Sequence, residues 1–433
     1  MPRRAHPRDD RPLRVAEICG TASAAYWLVQ IGAGLAERGY DVVAIIGGSH
    51  GDTAANLRRA GIPYAVLPHR LWSTSSWVRR LGALPYVGRA RHLADLMNLL
   101  LSSVRMARLL RRLEVDATHT HVFHSILVGR LGAALARIPV RVAMVPGPYH
   151  LETRILRRMD LATSRLDHRL ICGSRRIEAL YAEAGVPARR RTFVHYGADP
   201  REFDPARADA DRIRTEFGFD PDTPVIGQVA HFYPVRHHSV SPPLARGRGH
   251  KGHEDHVEAA RIVLERRPDA RFLLVGNGCD PGGERHREHV RARCRELGIE
   301  HAVLFPGPRH DVPDILAALD VSVQCSLNDN YGGTIESLLM GRPTIATRVG
   351  AMPEVVRHEE TGLLVPPRDP RALAEAMLRL IDNPELGRRL GAAGRELVLD
   401  SYTTAACVRG VDRVLREVAI ERAIQRPPVG STA

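Results

Sequence analysis

Lysine is almost absent from this 433-residue sequence: one lysine, Lys251, stands among 62 basic residues, and the others are arginine. Asparagine is also scarce, with six residues. Both shortages are typical of a high-GC bacterial genome, so the net charge of +13 largely reflects arginine on a solvated surface, and we expect no nucleic-acid partner. The retained lysine indicates a function that needs a compact ammonium group and not a planar guanidinium.

Cysteine is sparse too, and the six cysteines show neither paired spacing nor a CxxC motif. This pattern is typical of reduced thiols in a cytosol. No apolar run approaches the ~20 residues that a membrane-spanning helix needs. The charged stretch 1–14 is not followed by the apolar core of a secretory signal. These absences exclude a disulfide-stapled or membrane-spanning protein and predict a cytoplasmic location.

Segments with the apolar pattern of strands alternate with helical segments along most of the chain, in two successive series. This alternation and the length predict an α/β protein with two Rossmann-like domains that face each other across a cleft. The polar, turn-rich stretch 197–211 separates the two series, so we place the first domain at 1–205 and the second at 206–404. A last helix within 405–426 is expected to return to the first domain.

In the second half, unusual residues follow the predicted strands, at the edge where open α/β sheets bind ligands. A helix that starts at Gly332-Gly333 would present free backbone N–H groups and a positive dipole end, which suit a phosphate. Lys251 would add a point charge for the same phosphates, and Glu336 would accept hydrogen bonds from paired hydroxyls. Each feature alone is common, because glutamate often balances a helix dipole and Gly-Gly often forms turns. Together they predict anion binding beside hydroxyl recognition.

These residues resemble a known family. The stretch 328–354 (NDNYGGTIESLLMGRPTIATRVGAMPE) is similar to the donor-binding signature of the retaining glycosyltransferases of family 4, which have the GT-B fold. Weaker matches are Lys251-Gly252, 275–278 (VGNG), 362–366 (GLLVP) and 196–199 (YGAD). The resemblance covers about residues 12–420. It implies metal-independent transfer of a sugar, with retention, from a UDP- or GDP-linked donor in polysaccharide, glycolipid or glycoside biosynthesis, with no cofactor.

The resemblance also implies roles for individual residues. Lys251 would neutralise the leaving diphosphate, Glu336 would bind the ribose, and Asp329 or Asn328 would contact the donor sugar. Where the family has an arginine after the first strand of this domain, the chain has His231, and either His231 or an arginine within 236–248 would take its place. The remaining predicted donor-binding residues are Gly20, Arg248, Gly276, Asn277, Arg309, Asn330, Tyr331, Gly332, Gly333 and Thr334.

Two histidines of the first domain are further candidates. His121 aligns with a family histidine, and His150 ends the segment 146–150, where the family has His-Gly. We expect one of them to point at the donor sugar; the alternative is a capping or surface histidine. The histidine groups 119/121/124 and 250/253/256 lack a zinc template such as HExxH, so we predict no metal site.

The segment 72–112 contains two of the three tryptophans and eight arginines, against one aspartate. A basic, aromatic surface of this kind favours an anionic bilayer, on the inner membrane face, and a lipid-linked acceptor. The same sequence equally fits a helix that packs its leucine face inward. The acceptor would be a sugar, a glycolipid or a small molecule. Two alternative functions stay open: an epimerase-like enzyme that acts on sugar nucleotides without transfer, and an inactive binding module.

Overall fold

The computed structural model describes residues 11–21, 25–49, 51–67, 87–235, 242–328 and 331–422, with all their side chains except those of residues 87–96, 124 and 155. The strands of the first half are β1 (Arg14–Cys19), β2 (Asp41–Ile46), β3 (Tyr64–Val66), β4 (Ala117–His121), β5 (Val140–Val145), β6 (Arg169–Cys172) and β7 (Arg191–Phe193). Those of the second half are β8 (Val225–Val229), β9 (Arg271–Val275), β10 (Val303–Gly307), β11 (Val321–Gln324), β12 (Thr344–Thr347) and β13 (Leu363–Val365).

Within the described ranges, these strands form two parallel sheets. The first has the order β3-β2-β1-β4-β5-β6-β7 and the second the order β10-β9-β8-β11-β12-β13. The strands are nearly continuous apolar runs because helices cover both faces of each sheet; residues 42–46 of β2 and 272–275 of β9, for example, are all buried. The prediction of an α/β fold with two Rossmann-like domains is confirmed.

Helices connect the strands of both halves. The helices of the first half are α1 (Tyr26–Ala36), α2 (Asp52–Arg59), α3 (Val87–Arg112), α4 (Phe123–Ala136), α5 (Arg154–Ser164) and α6 (Arg175–Glu183). The later helices are α7 (Ala210–Glu216), α8 (His253–Arg266), α9 (Pro281–Glu296), α10 (Val312–Ala318), α11 (Gly332–Leu339), α12 (Met352–Val355), α13 (Pro370–Ile381), α14 (Pro384–Ser401) and α15 (Thr404–Glu421).

Several of these helices start where the sequence places a capping residue before a proline. Asp280, Asp369 and Asn383 each accept a hydrogen bond from the backbone N–H three residues later, at 2.8–3.0 Å. Each is followed by proline, whose fixed φ and missing N–H suit the first helical position. The start points of α9, α13 and α14 therefore follow from local chemistry.

The chain passes between the two halves twice, and the two passages touch. Ala198 and Thr403 form an isolated parallel bridge, with the Ala198 N–H donating to the Tyr402 carbonyl at 3.0 Å. Beyond this point, α15 lies against α1, and the Tyr40 hydroxyl donates to Asp412 at 2.7 Å. The predicted last helix, 405–426, thus corresponds to α15, while residues 423–426 lie outside the described chain. The domain boundary near 205 stays a prediction.

Candidate functional site

The candidate site lies at the carboxyl ends of β8 and β11, the neighbouring strands from which the second sheet is built in opposite directions. An open parallel sheet has a crevice at this position. The first residues of α11 stand over it, because a Cβ atom on Gly333 would be 3.6 Å from both the Val229 carbonyl and the Gln324 amide. Among the described residues, a Cβ on Gly332 would meet nothing within 4 Å. The amino terminus of α11 is therefore open to a ligand in the crevice.

Lys251 lies in the turn directly before α8, next to the ends of the same two strands. The turn follows the end of β11 so closely that a Cβ on Gly252, where φ is +71°, would be 2.0 Å from the Cys325 carbonyl. The Leu327 N–H donates to the His250 carbonyl at 2.7 Å, and the Gln228 side chain donates to the Lys251 carbonyl at 2.7 Å. Both central strands thus hold the backbone of the only lysine.

Glu336 lies in the second turn of α11 and is half-buried. Burial raises its pKa to about 7; the nearby carboxylate of Glu202 adds to this shift, and the ammonium group of Lys251 opposes it. Glu336 and Lys251 are therefore close enough to interact electrostatically. The structure brings together the two residues that the sequence placed at the centre of the site.

His231 and Asn277 also meet, at the carboxyl ends of β8 and β9. The His231 Nδ1 and Asn277 Oδ1 atoms are 3.1 Å apart, so that the ring N–H donates to the amide oxygen. Gly276 directly follows β9 and has a φ of +141°. A Cβ there would lie 2.1 Å from the Ala230 carbonyl, so the two strand ends approach closely. Because the Nδ1–H of His231 already donates to Asn277, a neutral ring would have only an acceptor left, at Nε2, and could not donate a hydrogen bond to a phosphate.

Two arginines expected in the donor pocket are paired with carboxylates instead. The Arg309 guanidinium makes four hydrogen bonds of 2.5–2.8 Å with Glu216 and Asp311. Arg248 is bound to Asp255 in the first turn of α8. Both guanidinium groups are thus engaged by carboxylates in the described structure, and the roles of Arg309 at the base and diphosphate pocket and of Arg248 in place of the family arginine stay predictions.

The side chain of Tyr331 points away from the crevice. It is fully buried, its hydroxyl donates to the Gly173 carbonyl, and the His195 Nδ1 lies 2.8 Å from the same oxygen. The Tyr331 side chain thus forms a contact between the two halves of the chain, and the role of this residue in donor binding stays a prediction. Asn328 makes a similar contact, since its Nδ2 donates to Glu152 at 2.5 Å. Asp329 and Asn330 lie outside the described residues.

A further carboxylate at this junction was not selected from the sequence. Glu354 of α12 accepts hydrogen bonds from the backbone N–H groups of Arg175 and Arg176, at 3.0 and 2.9 Å. These groups belong to the first turn of α6, so the second half of the chain caps a helix of the first. The Pro-Glu at the end of the signature stretch was the available signal, but its partner is 178 residues away along the chain.

The structure places both candidate histidines of the first half in buried surroundings. The His121 Nε2 is 2.7 Å from a Glu17 oxygen, and burial lowers the pKa of His121 to about 4. His150 is 3% exposed, stacks on Phe123 with ring centroids 4.6 Å apart, and lies 3.8 Å from Asp160. Both histidines thus have partners within the protein in the described structure, and the role of either at the donor sugar stays a prediction.

Glu17, His119 and His121 form a buried cluster between β1 and β4. Each offers one atom that could bind a metal ion, and in the described residues these atoms lie within 4.8 Å of one another. Burial would raise the pKa of Glu17, but the two histidines outweigh it and lower the pKa to about 2. The imidazoles donate to both carboxylate oxygens. The sequence grouped His119 and His121 with His124 and missed Glu17, because strand pairing alone brings it near.

The last two predicted residues, Gly20 and Thr334, have hydrogen-bond partners within the protein. The Gly20 N–H, at the end of β1, donates to the Ser125 hydroxyl at 2.6 Å. The Thr334 hydroxyl is buried and lies 3.1 Å from the Met352 sulfur, so only its backbone can meet a ligand. Across the described residues, we find no helix that combines the length and apolarity required to cross a bilayer.

Family models match both halves of the chain. The "Glycosyl transferase 4-like domain" matches residues 20–197, and "Glycosyl transferases group 1" matches residues 244–383. Among named relatives, the 2-deoxystreptamine glucosyltransferase of Streptomyces kanamyceticus is 27% identical over 68% of this chain and 76% of its own length. The D-inositol 3-phosphate glycosyltransferase of Corynebacterium glutamicum is 27% identical over 64% of this chain and 66% of its own. These names support glycosyl transfer over both alternative functions.

Solved structures share the fold. Anabaena Alr3699/HepE, in a crystal structure with UDP and glucose, superposes with a TM-score of 0.72 and 18% identity over 94% of this chain and all of that one. WaaG, a glycosyltransferase involved in lipopolysaccharide biosynthesis, superposes with a TM-score of 0.62 and 15% identity over 92% of this chain and 99% of that one. With a family match in each half and this architecture, the chain is a glycosyltransferase that belongs to family 4 and has the GT-B fold.

Proposed function

We propose that the crevice between β8 and β11 binds a UDP- or GDP-linked sugar and that the enzyme transfers this sugar with retention and without a metal ion. The observation that carries the proposal is that Lys251 and Glu336 lie close enough to interact beside the open amino terminus of α11. Support also comes from the Anabaena relative, whose crystal structure contains UDP.

In this proposal the diphosphate lies at the amino terminus of α11. Negative charge grows on the leaving diphosphate as the bond to the sugar breaks. The Lys251 ammonium, the backbone N–H groups of Gly332 and Gly333 and the helix dipole then stabilise the transition state more than the ground state. The Glu336 carboxylate accepts hydrogen bonds from the two ribose hydroxyls.

Ligand-induced stabilisation tests the donor site. We expect at least one of UDP-glucose, UDP-galactose, UDP-N-acetylglucosamine and GDP-mannose to raise the melting temperature, since a ligand at 100 times its Kd adds about 2.7 kcal/mol to the free energy of unfolding. Turnover, measured as release of the nucleoside diphosphate, should persist in EDTA.

The matched variants are Lys251→Ala and Lys251→Arg. Removal of one preorganised electrostatic contact typically lowers turnover about 10²–10³-fold, which is the loss expected for Lys251→Ala. Lys251→Arg should also be impaired, because the planar fork needs more room beside Gly252. Stabilisation by none of the four donors, or full turnover in Lys251→Ala, refutes the proposal.

We further propose that the enzyme docks on an anionic membrane and uses a lipid-linked acceptor. On α3, residues 97, 100, 101 and 104 are apolar and 39–52% exposed, and their spacing places them in one stripe. Exposed arginines 105, 108 and 112 extend the same face. An apolar stripe beside arginines fits the headgroups and acyl boundary of an anionic bilayer. Trp72, Trp77, Arg79 and Arg80 lie outside the described residues.

Vesicle flotation tests the docking surface. We expect binding to vesicles that contain phosphatidylglycerol, weaker binding at high salt, and loss of binding in Leu101→Glu/Arg108→Glu. The control Arg266→Glu removes an exposed arginine from the second half and should bind as wild type does. Absence of vesicle binding at low salt, or equal binding by both variants, contradicts the proposal.

A further inference from the structure

The turn that carries Lys251 is held by the side chain of a buried glutamine. Gln228 is the fourth residue of β8 and is fully buried. Its Nε2 donates to the Lys251 carbonyl at 2.7 Å, and its Oε1 is 3.0 Å from the His256 Nδ1. The amide therefore links the central strand to both the turn and the first helix that follows it.

The chemistry of the partners fixes the orientation of this amide. The Lys251 carbonyl can only accept a hydrogen bond, so the NH2 end of Gln228 must face the turn. The Oε1 then needs a donor, which the Nδ1–H of His256 supplies. Burial lowers the pKa of His256 to about 3, so its ring is neutral and holds one proton, at Nδ1. The proton position of His256 thus fixes the orientation of the Gln228 amide, and this orientation fixes the hydrogen bond to the Lys251 carbonyl.

Other contacts hold Gly252, the residue that follows Lys251. Gly252 is fixed by its positive φ and its close approach to Cys325, and the Cys325 thiol donates to the Gly252 carbonyl at 3.1 Å. The ammonium group ends a flexible four-carbon side chain. The position of the Lys251 backbone therefore sets the centre of the region that this group can reach. A shift of about 1 Å in a catalytic group can cost about 10²-fold in rate.

We propose that Gln228 is a positioning residue that sets the Lys251 ammonium group against the diphosphate of the donor. This inference rests on the proposed function, because it assigns Gln228 a role that acts through Lys251. Gln228 touches neither donor nor acceptor in this account. Its contribution to the rate comes from holding the turn before the substrate arrives, which avoids reorganisation during the reaction.

Kinetics of Gln228→Met test the role. Methionine has a similar length but makes neither hydrogen bond, so kcat for diphosphate release should fall about 10–100-fold, with a smaller change in KM. The assay uses the most stabilising donor of the four named above. Tyr181→Phe, which removes a buried hydrogen bond to Asp160 in the first half, should keep the wild-type kcat.

A double variant shows whether the effect passes through Lys251. If it does, Gln228→Met/Lys251→Ala is no slower than Lys251→Ala alone, because the two changes remove the same interaction. An unchanged kcat in Gln228→Met, or losses that multiply in the double variant, overturns the inference while leaving the proposed function intact. Full turnover in Lys251→Ala instead overturns the proposed function.

The single lysine provides a readout that does not depend on activity. Reductive methylation with ¹³C-formaldehyde labels Lys251 and the terminal amine, so the Lys251 dimethylammonium signal is resolved by NMR without mutagenesis. Gln228→Met should change its chemical shift and its titration with pH, whereas Tyr181→Phe should leave both unchanged. Identical Lys251 signals in wild type and Gln228→Met would overturn the positioning role, whichever donor the enzyme uses.

Discussion

The carboxyl group of Glu336 couples the protonation state of the crevice to donor binding. It is half-buried beside another carboxylate, so its ionised form is disfavoured until a ligand supplies hydrogen-bond donors. Ribose hydroxyls would do so, and they bind well only to the carboxylate. The ammonium group of Lys251 favours the same ionised form.

Donor affinity should therefore fall on acidification. With a pKa of about 7 in the free protein, Glu336 is mostly ionised at pH 8 and mostly protonated at pH 6, and binding to the carboxylate should weaken by up to about tenfold per pH unit below the pKa. Calorimetry with UDP at pH 6, 7 and 8 measures the effect. The Glu336→Gln variant should bind more weakly and respond to pH only through the phosphate of UDP itself. Parallel pH profiles for wild type and variant would contradict the assignment.

At the scale of single residues, the sequence was informative where a role can be inferred from the residue type and its neighbours along the chain. Lys251 was found because one lysine survives among arginines, and Gly332, Gly333 and Glu336 because their spacing implies a helix terminus. The pairing of Arg309 with Glu216 was not predicted, because Glu216 is 93 residues away along the chain. The buried partner of His121 was missed for the same reason, since Glu17 comes from the neighbouring strand.

At the scale of elements, the contact between α12 and α6 joins the two halves of the enzyme. Glu354 satisfies two N–H groups that a helix end leaves without partners inside the helix. Its negative charge also complements the positive end of the dipole of α6. Burial raises the pKa of Glu354, although the Arg175 and Arg176 N–H groups partly offset this.

Glu354→Gln should lower the free energy of unfolding by about 1–2 kcal/mol, because an amide replaces a charged acceptor and keeps one oxygen for two donors. Urea unfolding measures the change. Glu178→Gln is the matched control, since it removes a charge from the same first turn of α6 without touching these N–H groups, and should cost less than about 0.5–1 kcal/mol. Equal losses of unfolding free energy in the two variants would show that the removed charge, and not the lost cap hydrogen bonds, causes the destabilisation.

Element boundaries were predictable where capping signals are strong. Helix α13, for example, begins at Pro370, directly after its Asp369 cap. The start of α15 was harder to locate, since only Tyr402 and Thr403 separate it from α14 and its cap is the Thr403 hydroxyl, which accepts from the Ala406 N–H at 3.2 Å. Which face α15 covers depends on packing against α1 and cannot be read from its own residues.

At the scale of the whole molecule, the close contact between the two passages of the chain requires a glycine at position 197. A Cβ on Gly197 would be 2.1 Å from the Thr403 carbonyl carbon. Gly197→Ala must therefore separate the passages, and we expect it to lower the free energy of unfolding by about 2 kcal/mol or more. In Gly147→Ala, where a Cβ meets nothing within 4 Å, the loss should be much smaller. Similar melting temperatures for the two variants would contradict this expectation.

The bridge between Ala198 and Thr403 also limits how the cleft can move. A body tethered by one flexible strand can swing and twist about several axes, whereas two strands joined side by side form a ribbon that bends across its flat face and resists shear. The cleft should therefore open mainly by bending about one axis at the bridge. The largest displacement is expected at the edge of the cleft farthest from the bridge. Cleavage of the chain between α7 and β7 would leave the halves attached through the second passage, with α15 still lying against α1.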